Sequence, residues 1–252
     1  MLSYFIIANW KMNPENLGKA KSLLSSVEVS LTDSNKEIVI CPPVIFLPSL
    51  RQIINRCHLG SQNVFYEKQG AFTGEISTGM LKDAGCEYVI LGHSERRQYF
   101  GETDEVVNKK VLAVLGAGLK PVICLGEPER QAENIGEILK KQLSIILSGV
   151  AKQKLKEVVL VYEPIWAIST TPNSQPCLPD DALTVYLFLR KTLIQIYGHG
   201  LAEKILILYG GSVNAKNAAD YVKISQFNGL LVGSASLKSE EFIKIIKSTS
   251  GL

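Results

Sequence analysis

The sequence predicts an α/β chain closed into a (β/α)8 barrel, a single domain spanning residues 1–252. Three observations carry this reading. Eight apolar, β-favouring runs alternate with helical patterns without a linker or low-complexity block, and such alternation implies a parallel sheet. The sixth run, 158–161, is apolar at every position, so both its faces require burial, as in a sheet covered by helices. An open doubly wound sheet is the main competitor. Asn9-Trp10-Lys11 stands after the first strand, however, where a dinucleotide-binding sheet requires a glycine-rich turn. Eight units also fit the length of about 250 residues typical of a barrel.

Residues 4–9 form the first strand. Pro14 marks the turn into a helix with Leu17, Ala20, Leu23, Leu24, Val27 and Leu31 at three- and four-residue spacing. Residues 37–41 are the second strand, stopped by Pro42-Pro43, with a helical pattern through Leu50, Ile53 and Ile54. A weaker strand at 58–63 leads into a long loop at 64–78. The fourth strand, 88–91, ends at Gly92-His93, and a helix follows at 103–116. The fifth strand, 121–125, ends in Gly126-Glu127-Pro128, before an amphipathic helix reaching about Val150. The sixth runs into Glu163, where Pro164 stops it because proline fixes φ and donates no N–H. A helix carries Ala182, Val185, Phe188, Leu189, Leu193 and Ile196 on one face. The seventh strand, 205–209, ends in Gly210-Gly211-Ser212, and the eighth, 229–232, ends in Gly233-Ser234. A helix at 241–246 closes the chain.

Composition excludes several classes of function. A net charge of +3, from 27 basic and 24 acidic residues spread along the chain, makes no electrostatic case for nucleic acid or membrane. Five scattered cysteines without a CxxC pair read as reduced core residues of a cytoplasmic protein. Three histidines without an HExxH or a Cys/His cluster leave no pattern for a metal site. No stretch approaches the roughly 18 apolar residues of a membrane span.

In a barrel all eight strand ends open on one face. That face gathers Asn9, Lys11, His93, Glu163, Ser212 and Gly233. The turns after strands seven and eight are where barrels commonly hold phosphate on backbone N–H groups. His93 precedes Ser94-Glu95-Arg96-Arg97, which can begin a helix. A helix N-terminus disfavours imidazolium and leaves a neutral ring able to donate. Lys11 supplies positive charge where negative charge develops. Glu95 and Glu127 read as orienting carboxylates, and His58 and His199 as structural. A carboxylate base, a neutral donor, a cation and a phosphate nest suit proton abstraction beside a carbonyl in a small phosphorylated substrate. That chemistry requires no metal or redox cofactor.

Four segments stand in a set order: Asn9-Trp10-Lys11-Met12-Asn13, Gly92-His93-Ser94-Glu95-Arg96-Arg97, Tyr162-Glu163-Pro164-Ile165-Trp166-Ala167-Ile168 and Tyr209-Gly210-Gly211-Ser212-Val213-Asn214. Through them the chain closely resembles the triosephosphate isomerase family over residues 9–237. The resemblance implies a TIM barrel and a cytoplasmic homodimer serving glycolysis and gluconeogenesis without a cofactor. It implies that Glu163 shuttles a proton between two carbons of a phosphorylated triose, that His93 is the electrophile, and that Asn9 and Lys11 bind substrate. Lys11 counts with Glu163 and His93 among the catalytic residues. Ser94 and Glu95 support them, while Ser212, Gly233 and Ser234 hold phosphate. Thr73, in the loop 70–75, would enter a neighbouring subunit. The family's lid reads Ala-Ile-Gly-Thr-Gly, but here Ser169, Thr170, Thr171 and Pro172 follow Ala167-Ile168, with a short insertion before Pro179. Ser169 keeps the N–H that would reach phosphate. A left-handed conformation there would cost about 1–2 kcal/mol, so the lid is expected to close less firmly and to leak methylglyoxal. Ser234 replaces the family's second glycine. The competing reading is a weakly active or non-catalytic phosphate-binding barrel with an altered lid.

Overall fold

The computed structural model describes residues 4–31, 36–130, 134–168 and 174–249. Among them eight parallel strands close into a barrel in sequence order: β1 (Tyr4–Asn9), β2 (Lys36–Cys41), β3 (His58–Ser61), β4 (Cys86–Leu91), β5 (Lys120–Leu125), β6 (Val159–Tyr162), β7 (Leu206–Tyr209) and β8 (Gly229–Val232). β8 returns to pair with β1. The crossovers hold α1 (Leu17–Ser30), α2 (Leu47–Arg51), α3 (Thr78–Asp83), α4 (Ser94–Phe100), α5 (Asp104–Gly116), α6 (Ile135–Ile146), α7 (Pro179–Tyr197), α8 (His199–Ala202), α9 (Ala218–Lys223) and α10 (Ser239–Ser248). No helix among the described residues is long and apolar enough to cross a membrane. The segment containing Ser169, Thr170, Thr171 and Pro172 lies outside the described residues.

Strand alternation divides the apolar residues into two cores. Phe5, Ile7, Val39, Tyr88, Ile90, Val122, Cys124, Val159, Val161, Leu208 and Leu231 fill the barrel interior. Their neighbours Ile6, Ala8, Ile38, Ile40, Val89, Leu91, Ile123 and Leu160 face the helices. Every residue of the run 158–161 is buried, as its unbroken apolar character requires.

Several boundaries differ from the sequence reading. The third strand stops at Ser61 rather than residue 63, with a register shift between Leu59 and Gly60. The helix before it ends at Arg51, because Ile53 and Ile54 both donate to the Leu50 carbonyl and unwind the turn. α6 ends at Ile146 rather than near Val150, where Gly149 takes a positive φ of 73°. α3, α8 and α9 have six, four and six residues, too few for a 3.6-residue period to show. His199 opens the four-residue helix α8.

A buried ion pair sits under the end of β4. Glu102 accepts from Lys110 Nζ, from Arg96 Nε at 3.3 Å and from the Gly92 N–H at 3.0 Å. Lys110 also donates to Asn63 Oδ1 at 2.8 Å. Burial alone would raise the Glu102 pKa, but the Lys110 hydrogen bond and charge, with Arg96, hold it below the ordinary carboxylate value of 4.5. A depressed folded-state pKa contributes stability above the unfolded value that is lost as pH falls. Resistance to urea is therefore expected to fall below about pH 4.5. In Lys110→Met, which strands the carboxylate, it should drop by about 3–5 kcal/mol at neutral pH. A Glu102→Gln/Lys110→Met double variant should lose less. Equal losses in the single and double variants would contradict the pairing.

Candidate active site

The inward-facing alternation continues past the strand ends and builds the mouth of the barrel. Phe5 and Ile7 lead to Asn9, and Val159 and Val161 lead to Glu163. The same parity on neighbouring strands yields Gly92, Gly126, Gly210 and Gly233. Two side chains project there, and glycines leave room around them. The ladder still holds these residues, since the Glu163 N–H donates to the Leu125 carbonyl and the Gly210 N–H to that of Tyr162, both at 2.8 Å. A Cβ on Gly210 would stand 2.9 Å from Glu163 Cγ, and one on Gly126 only 1.8 Å from the Glu163 carbonyl oxygen. The result is a cavity of about 340 Å3 lined by Asn9, Lys11, His93, Glu163, Ser212, Gly233 and Ser234 among others.

Glu163 is 2 % exposed. Its Oε2 accepts the Ser94 N–H at 3.1 Å, while Oε1 faces His93 Nε2 at 3.2 Å without the angle of a hydrogen bond. An acceptor held short of a well-aligned hydrogen bond in a buried site stays available to a proton. His93 caps α4, and its Nδ1 accepts the Glu95 N–H at 3.2 Å. The ring proton is thereby assigned to Nε2, 3.2 Å from Glu163 Oε1. The imidazole thus presents an N–H to the cavity.

Lys11 has a φ of 53°, rare for a side chain other than glycine. Asn9 Oδ1 accepts its N–H at 3.0 Å and Gln62 Nε2 donates to its carbonyl at 2.8 Å, so the strained conformation is held from both sides. Its Nζ pairs with Glu95 Oε1 at 2.6 Å. The Ser212 hydroxyl donates to the Ala167 carbonyl at 2.7 Å. Ser234 opens a 3-10 turn, Ser234–Leu237, whose first N–H groups have no acceptor within the turn.

Most residues singled out from the sequence converge here, and Ser94 and Glu95 touch them. Glu127 does not line the cavity but orients side chains that flank Glu163 in the sequence. Its Oε1 accepts from Tyr162 Oη at 2.9 Å and Trp166 Nε1 at 2.6 Å. Burial raises its pKa against those donors. Ser169 lies outside the described residues. Thr73 is exposed, and its neighbour Phe72 packs on Phe65 with ring centroids 4.7 Å apart. Arg97, the last residue of the Gly92–Arg97 motif, donates to the Gly92 carbonyl at 2.7 Å, whereas Gln62, Glu102 and Lys110 were not signalled by pattern or motif. Cys124 and Cys177 are buried; burial pushes the Cys177 thiol up to about 12, which makes it a poor nucleophile.

Residues 4–249 match the family model described as triosephosphate isomerase. The chain belongs to the triosephosphate isomerase family. It is 46 % identical over 244 residues to the triosephosphate isomerase of Endomicrobium trichonymphae, covering 95 % of this chain and 96 % of that protein. It is 42 % identical over 247 residues to that of Aquifex aeolicus, covering 96 % and 98 %. Gly210→Ala is expected to displace Glu163 and cut isomerase turnover by about 100-fold, with the far-ultraviolet circular dichroism of the native barrel retained. Unaltered turnover would contradict the close approach of Gly210 to the carboxylate.

Proposed function

We infer that this protein interconverts dihydroxyacetone phosphate and D-glyceraldehyde 3-phosphate, an intramolecular aldose–ketose isomerisation. The observation that carries the reading is the buried Glu163 Oε1, 3.2 Å from His93 Nε2 without a well-aligned hydrogen bond, in the cavity that Lys11 also lines. Glu163 takes a proton from C1 of the ketose, the C1–C2 double bond forms, and charge develops on the C2 oxygen. His93 Nε2–H and the Lys11 ammonium stabilise that enediolate. A proton passes from the C1 oxygen to the C2 oxygen, Glu163 returns its proton to C2, and the aldehyde forms at C1. Asn9 orients Lys11 and the substrate, and Ser94 and Glu95 orient Glu163 and Lys11. Phosphate sits on the backbone N–H groups of Ser212, Gly233 and Ser234, with Ser169 added from the lid segment.

The non-catalytic alternative is set aside, because the family assignment spans the chain and Asn9, Lys11, His93 and Glu163 share one cavity. A homodimer is supported by a second cavity of about 500 Å3 that opens on Lys11 and Glu95 and is lined also by Met12, Gly74 and Phe100. Met12 is 94 % exposed there and Phe100 69 %, an apolar surface that a second copy's Thr73 loop would cover. The five free thiols support a cytoplasmic setting. In a coupled isomerase assay, Glu163→Gln is expected to lower kcat by about 10²–10⁴-fold with a much smaller change in KM. A variant retaining wild-type kcat would overturn the assignment of the base.

A further inference from the structure

Arg97 closes the motif that carries His93, yet the proton transfer makes no use of it. It does not line the substrate cavity. Its side chain is nevertheless only 18 % exposed, and all three of its nitrogens are committed. Nε donates to the Gly92 carbonyl at 2.7 Å, Nη1 to Asp104 Oδ1 at 2.7 Å and Nη2 to the Cys124 carbonyl at 3.3 Å. A guanidinium presents its donors in a rigid planar fork, so three such contacts leave it one orientation. Asp104 stands in the first turn of α5, where the helix dipole favours a carboxylate.

Two of the three acceptors belong to the supports of the reacting side chains. The Arg97 backbone N–H donates to the His93 carbonyl at 3.1 Å, while Nε takes the Gly92 carbonyl. Arg97 thus holds a carbonyl on each side of the His93 Cα, and Glu102 holds the Gly92 N–H at 3.0 Å. Cys124 lies on β5, where the next carbonyl along, that of Leu125, accepts the Glu163 N–H at 2.8 Å. One guanidinium therefore ties the chain that carries His93 to the strand that holds Glu163, and their side chains meet with Nε2 3.2 Å from Oε1. Gly92 makes room for this bridge. Its φ is 67°, and a Cβ there would stand 2.9 Å from Arg97 Nη2 and 3.2 Å from the Cys124 carbonyl oxygen. A side chain at residue 92 would push the fork off the carbonyls it joins.

We propose that Arg97 is a positioning residue for the isomerisation, holding His93 and Glu163 at their working separation by bridging Gly92, just past β4, to β5. The proposal rests on the isomerase reading and places part of the site's preorganisation in a side chain that never touches substrate. This role requires the fork and not the charge alone. A lysine could keep an ion pair with Asp104, but its ammonium is a point charge without fixed planar donors to span two strands.

The test compares wild type, Arg97→Lys and Arg97→Ala in the coupled isomerase assay, with and without guanidinium chloride at a concentration too low to unfold the protein. Displacing a reacting group by about 1 Å costs on the order of 100-fold, so Arg97→Ala is expected to lose about 100-fold in kcat, with KM and inhibition by inorganic phosphate near wild type. Arg97→Lys should lose kcat by a smaller factor, again with KM unmoved. Guanidinium ion, which can occupy the space that Arg97→Ala vacates, should restore part of the lost kcat to that variant and none to Arg97→Lys. A residue that only stabilised the barrel would lower the melting temperature without this pattern. If Arg97→Ala fails to fold, Arg97→Lys decides alone. The proposal is overturned if Arg97→Lys keeps the wild-type kcat, if the losses fall in KM instead, or if folded Arg97→Ala gains nothing from guanidinium. Failure of wild type to isomerise the triose phosphate at all would instead overturn the isomerase reading.

Discussion

The site depends on how one carboxylate is held: Glu163 is buried, tied through Oε2 to a single backbone N–H, and left with Oε1 beside His93 Nε2 at 3.2 Å without a well-aligned hydrogen bond. A buried carboxylate satisfied at both oxygens would be an inert strut, and one satisfied at neither would be expelled or neutralised. The fold supplies the intermediate case. Strand pairing to β5 fixes the Glu163 backbone, Gly126 and Gly210 let that backbone and side chain lie close to their neighbours, and the first N–H of α4 takes one oxygen. His93 is fixed from the same helix end, so the base and the hydrogen-bond donor share one support. Beneath them the Glu102–Lys110 pair holds Gly92 from the far side of β4.

Electrostatic economy runs through the rest of the mouth. Lys11 sits in a strained backbone conformation, yet Asn9, Gln62 and Glu95 each take one of its groups. That arrangement fixes the ammonium where charge develops, and it also spends much of its long-range field on Glu95. The Lys11 ammonium also stands beside the Gly233 turn, where a Cβ on the glycine would come within 3.7 Å of Nζ. The backbone N–H groups at the Ser234 turn supply short-range, directional contact once the phosphate has arrived.

Much of this was legible in the sequence, for identifiable reasons. An unbroken apolar run at 158–161 can only be a strand buried on both faces, and Pro164 fixes where it ends, so Glu163 could be placed at the rim from the residues alone. The period of two then carries inward parity from Val161 to Glu163 and from Ile7 to Asn9. The third strand was hard to delimit because its register shifts at Gly60, and α3, α8 and α9 are shorter than the window in which helical period appears. Glu127 was readable as an orienting carboxylate, but its partners Tyr162 and Trp166 were not, because they lie 35 and 39 positions away. Gln62 reaches Lys11 across 51 positions and Lys110 reaches Asn63 across 47, while Glu102 bridges Gly92, Arg96 and Lys110 at spacings that match no helical or strand period.

The central claim is that Glu163 carries a proton between adjacent carbons of one substrate at this cavity. Its most direct test is exchange of solvent deuterium into C1 of dihydroxyacetone phosphate, followed by NMR with wild type and Glu163→Gln at equal concentration. The account expects deuterium to enter C1 with wild type, and exchange at least about 100-fold slower with the variant. Exchange at the wild-type rate without the Glu163 carboxylate would contradict it.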